Sequence, residues 1–60
     1  MTIEREFIEM KQRLIDRLAD GQADRKVWEF VIAVGEMLEL YSSVYQLRAY
    51  YNQYNIDKLV

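Results

Sequence analysis

No cysteine, histidine or proline occurs in this 60-residue chain, and glycine occurs only twice. Without cysteine there are no disulfides, and without cysteine or histidine there is no structural zinc site, because the remaining carboxylates suit Mg²⁺ or Ca²⁺ better. The same gaps remove Ser-His-Asp, Cys-His and two-His-one-carboxylate chemistry. An excess of basic charge is also missing: eight bases against ten acids leave a formal net charge of -2, too little for the basic face of a duplex-DNA binder. The start of the chain has neither the basic region nor the apolar run of a signal peptide. The most apolar stretch, Val27 to Leu47, carries Glu29, Glu36 and Glu39, so no membrane span is expected and the reading is cytoplasmic.

Hydrophobic residues make up 52% of the chain and charged residues 30%, a folded rather than a disordered balance. A single domain of this length buries only about 60% of the surface its unfolded chain exposes, so self-association or a partner is the natural supplement to its core.

With the usual helix breakers nearly absent, the periodicity is helical throughout. Ile3, Phe7, Met10, Leu14 and Leu18 form one face of a first helix over about 3–20. Thr2 is its N-cap, Glu4 and Glu6 suit the first turn, and Glu9 and Arg13 stand at pairing distance on the wet side. Gly21 ends it in a left-handed C′ conformation. The turn at 21–24 is short and Asp24 is the N-cap of the next helix.

From Arg25 the stripe Val27, Val31, Val34, Leu38, Tyr41 and Tyr45 alternates steps of four and three. A second stripe, Phe30, Met37 and Val44, widens the apolar arc to roughly 200°, more than one antiparallel neighbour covers. Trp28 falls opposite the main stripe, as a cap over the turn or an exposed contact. The pattern predicts one long helix over about 25–51 and a tail over 52–60 that includes Ile56. The fold class expected is all-α, an antiparallel helical hairpin with a C-terminal extension that dimerises into a four-helix-type bundle. The self-association surface would be Phe30, Val34, Met37, Leu38, Tyr41, Val44 and Tyr45. The alternative is a three-helix bundle with a break at Ser42-Ser43.

Three constellations bear on function. Glu36-Met37-Leu38-Glu39 places carboxylates at i and i+3, where they can share a Mg²⁺. It is similar to half of the E-x-x-E…E-x-x-D pattern of the all-α NTP pyrophosphohydrolases, but Tyr54 stands where the second motif needs Glu before Asp57. The resemblance would imply a minimal Mg²⁺-dependent nucleotide hydrolase assembled across a dimer; the plainer reading is a solvated helix face. Second, all five tyrosines lie between Tyr41 and Tyr54. Arg48, Tyr50, Tyr51 and Tyr54 leave the apolar stripe and suit a partner-binding surface. Third, aromatics beside Arg48 could stack on single-stranded nucleic acid, but no base lies between Val27 and Leu47 to follow a phosphate backbone. Lys11, Arg13 and Arg17 of the first helix alternate with acids.

The expectation is therefore a non-enzymatic protein–protein interaction module with no cofactor or metal. It would be a small regulatory or adaptor protein of the kind phages and plasmids often encode, acting as a homodimer on an unidentified protein partner.

Overall fold

The computed structural model describes residues 2–58. Three helices, α1 (Ile3–Leu18), α2 (Arg25–Met37) and α3 (Tyr41–Gln53), are followed by a short 3-10 turn, Ile56–Lys58. The described residues contain no strand, and none of their helices is long and apolar enough to cross a membrane.

The first two helices begin where their caps dictate. Thr2 Oγ1 accepts the Arg5 N–H at 3.2 Å, and Asp24 Oδ1 accepts the Lys26 N–H at 2.9 Å and the Val27 N–H at 3.4 Å. Each cap satisfies amides that have no partner inside the helix. At the other end of α1, Gly21 takes φ 71°. The Gln22 N–H reaches back to Arg17 O at 3.0 Å and the Gly21 N–H to Leu18 O at 3.0 Å, the paired bonds of a Schellman motif. On the wet side, Glu9 pairs with Arg5 at 3.6 Å rather than with Arg13.

The long helix expected over 25–51 is two helices. The break falls at Leu38–Leu40, ahead of the Ser42-Ser43 position expected for a three-helix alternative, and it is a second Schellman motif. The Leu40 N–H bonds Gly35 O at 3.0 Å and the Glu39 N–H bonds Glu36 O at 3.1 Å, with Glu39 at φ 59°. A side chain in that left-handed conformation costs about 1–2 kcal/mol relative to glycine, and no glycine or proline advertises the turn. The half-buried Leu38 and Leu40 on either side pack against the core and offset the cost. Neither serine caps α3; Leu40 holds that position without a side-chain bond. Changing Glu39 to Gly should raise stability by about 1 kcal/mol, read as a higher denaturation midpoint in urea at unchanged slope.

One core serves all three helices and the final turn: Phe7, Leu14 and Leu18 from α1, Trp28, Val31 and Ile32 from α2, Val44 and Leu47 from α3, and Ile56. Trp28 is its largest fully buried side chain; the cap or exposed contact expected at that position is neither. The buried face of α2, Trp28, Val31, Ile32 and Gly35, is centred about a quarter-turn from the Val27, Val31 and Val34 stripe. The expected tail is likewise partly core. After Gln53, Asn55 turns the chain at φ 53°, a conformation asparagine tolerates well, and Ile56 folds back at 0% exposure. Leu59 and Val60, the last residues of that expected tail, lie outside the described residues.

Gly35 marks the tightest approach. A Cβ there would lie 2.8 Å from Phe7 Cζ and 2.9 Å from Val44 Cγ2. Phe7 thus crosses α2 near its C-terminal end, while Leu14 and Arg17 line a groove with Val27 near its N-terminal end. The N-terminal end of α1 and the C-terminal end of α2 therefore lie together.

Candidate interaction surface

Helix α2 is apolar on two sides. Trp28, Val31, Ile32 and Gly35 point into the core. Val27, Phe30, Val34 and Met37, at steps of three, four and three, lie on another side. Phe30 is 62% exposed and Met37 81%, and Val34 is half-buried. That spacing is the repeat of a helix–helix seam. Because side chains are spread around 3.6 residues per turn, one helix cannot turn both arcs fully to α1 and α3, and Val27, Phe30 and Met37 of the outer arc are left exposed. Exposed apolar residues scattered singly need no explanation, but an aligned row of them does.

Two different flanks bound the row. On the α1 side, Met10, Arg13, Leu14 and Arg17 form the groove with Val27 and Val31. On the α3 side, polar clasps hold α3 in place: the Arg48 guanidinium donates to Glu36 Oε2 and the Tyr51 hydroxyl donates to Glu29 Oε2 at 2.7 Å. A third clasp joins α1 to α3, where Lys11 Nζ donates to Gln46 Oε1 at 2.9 Å and to Ser43 Oγ at 3.3 Å. Of the α1 bases considered for nucleic acid, Lys11 is thus engaged inside the fold.

The residues expected to bind a partner divide accordingly. Arg48 and Tyr51 face α2 and hold its glutamates. Tyr50 is half-buried and packs against the core. Tyr54 is exposed, its ring centroid 6.2 Å from that of Tyr50. Among the expected self-association residues, Val44 is buried in the core at 3% exposure, so it cannot meet another chain without unfolding. Leu38 is half-buried at the C-cap of α2, while Phe30, Met37, Tyr41 and Tyr45 are exposed. Tyr41, Tyr45, Arg48 and Asn52 share one face of α3, at steps of four, three and four.

The glutamates of the Glu36-Glu39 pair do not share a helix face, since α2 ends at Met37 and Glu39 sits in the left-handed turn. Glu36 is engaged with Arg48 instead. Among the described residues no three metal-ligating side chains gather.

The Tyr51–Glu29 clasp has a titration signature. The hydrogen bond to the Glu29 carboxylate, with smaller contributions from desolvation and from the Glu29 charge, raises the Tyr51 hydroxyl above its ordinary value of 10.0. A raised folded-state value means the phenol is held protonated by folding. Its stabilising contribution is complete below the unfolded value near 10 and disappears as pH climbs through the higher folded value. A pH series of urea midpoints should therefore fall more steeply above pH 10 for the wild type than for Tyr51→Phe.

No protein-family model matches this sequence, and comparison with curated proteins and with solved structures finds no significant match.

Proposed function

We propose that this chain is a non-enzymatic protein-interaction module, a small regulatory or adaptor protein whose contact surface is the outer face of α2. The observation that carries the reading is the aligned row Val27, Phe30, Val34 and Met37, apolar and at seam spacing, with Val34 half-buried against the core and the other three exposed. Fully burying side chains of this size is worth about 1.5–3 kcal/mol each, enough for a few anchors to dominate an interface. The clasps on the α3 side support the same reading, because they commit Glu29, Glu36, Arg48 and Tyr51 to positioning α2.

The test is a paired pull-down from cells of the native host with the wild type and with Phe30→Asp/Met37→Asp. Both positions are exposed, so the double variant should keep its circular dichroism spectrum while losing the captured proteins. A folded variant that captures the same proteins would remove α2 from the interaction and turn attention to Tyr54, Tyr41 and Tyr45.

A further inference from the structure

Charge along the outer face of α2 is not evenly spread. At the N-terminal end, Lys26 adjoins Val27, and Arg13 and Arg17 line the groove beside Val27 and Val31. The one acid there, Asp24, is committed to the Lys26 and Val27 amides as the helix cap. Glu39 stands two residues beyond Met37, in the turn that ends α2. On α1, Glu6, Met10, Arg13 and Arg17 share one face, at steps of four, three and four. The α1 rim of the row is therefore acidic at Glu6, which lies beside Phe7 at the Gly35 end, and basic at Arg13 and Arg17. None of Glu6, Arg13, Arg17, Lys26 and Glu39 takes part in an ion pair among the described residues.

We propose that the occupant of this face is a second copy of the chain, with the two α2 helices packed antiparallel about a twofold axis. This rests on the reading of α2 as an interaction surface and names what it meets. A twofold interface must be complementary to itself, and this face is so in one direction only. Laid antiparallel, Val27 meets Met37 of the partner subunit and Phe30 meets Val34 of the partner subunit. Lys26 then comes to the end carrying Glu39 of the partner subunit, and Arg13 and Arg17 come opposite Glu6 of the partner subunit. Laid parallel, the three bases would stand against three bases and the acids against acids. Such rim charges select orientation more than they add affinity.

The area is of the right size. The exposed parts of the four seam side chains come to on the order of 400 Å² per copy, and the aliphatic stems of Lys26, Arg13 and Arg17 extend that. Two copies then reach about 1,000 Å², the lower bound for a specific interface. Steps of three and four favour helices crossing at about 20°, so α1 and α2 of each copy would form a four-helix layer with α3 outside.

The chain has no cysteine, which makes cross-linking a direct test. Val27 and Met37 are ten residues apart, about 15 Å along the helix, whereas a disulfide needs Cα atoms within about 7 Å. In the antiparallel arrangement, Val27→Cys mixed with Met37→Cys should give a disulfide-linked heterodimer on oxidation, and each variant alone should give at most a trace. Charge reversal gives a second readout. Lys26→Glu should weaken association several-fold, and Lys26→Glu/Glu39→Lys in one chain should restore it. Strong self-linking of Val27→Cys would overturn the antiparallel geometry. Absence of cross-links in every combination, with a monomeric mass, would overturn the second copy. If the Phe30→Asp/Met37→Asp pull-down still loses its captured proteins in that case, the interaction reading stands with a different occupant; if it does not, both fall.

Discussion

Replacing Trp28 by alanine is expected to cost about 3–5 kcal/mol, comparable to the whole stability of a domain this short, at roughly 0.05–0.15 kcal/mol per residue. Most of the Trp28→Ala protein should therefore be unfolded at room temperature. Trp28 is fully buried in the one core that all three helices share. It is the largest of the fully buried side chains, so its truncation removes the most contact area. Among the described residues its indole N–H has no hydrogen-bond partner, which separates two contributions. Trp28→Phe keeps much of the contact area and removes an unsatisfied buried donor, whose desolvation costs about 1–3 kcal/mol. The phenylalanine variant should consequently lie much closer to wild type than the alanine variant in urea denaturation. Similar losses for both would mean that the N–H finds a water or another partner in solution.

Gly35→Ala should destabilise the fold by about 1–3 kcal/mol. Helix propensity alone argues for the opposite sign, since alanine in a helix interior is favoured over glycine by about 1 kcal/mol. Geometry decides the matter. The added Cβ would meet the Phe7 ring at 2.8 Å and a Val44 methyl at 2.9 Å, from α1 and α3 at once, so relief on one side tightens the other. Phe7→Leu should soften the clash, and the double variant should lose less than the two single losses combined, a coupling that a double-mutant cycle reads directly. A stabilised Gly35→Ala protein would show that α1 and α3 sit farther from α2 than described.

Much of the fold was legible in the sequence because local chemistry specified it. Thr2, Asp24 and Gly21 act through backbone groups within five residues, so the ends of α1 and the start of α2 followed from residue type and position. The width of the apolar arc on α2 was legible too, and it supplies the row proposed as an interaction surface. What was not legible depends on contacts distant in sequence. The turn at Glu39 uses a residue whose intrinsic preference opposes it, and only the packing of Leu38 and Leu40 against the core makes it favourable. Once that turn was read as helix, the phase of everything after Leu38 slipped. Val44, expected in a self-association seam, is core at 3% exposure, and the candidate binding residues Arg48 and Tyr51 close on Glu36 and Glu29, contacts that no sequence spacing reveals. Trp28 is misplaced for a different reason: α2 is apolar on two sides, and residue type alone does not say which of them meets α1 and α3. Ile56 stood alone after a polar stretch, and no periodicity could mark it as core.

The most direct test of the outer α2 face as an interface is sedimentation equilibrium over a wide concentration range, run on the wild type beside Phe30→Asp/Met37→Asp. For the wild type, the mass should approach twice the 7.3 kDa of the chain as concentration rises, with a melting temperature that climbs in parallel because folding and association are linked. The double variant should stay at the monomer mass while remaining helical. A wild-type mass of 7.3 kDa at every concentration, with a melting temperature that does not move, would contradict the self-associating surface.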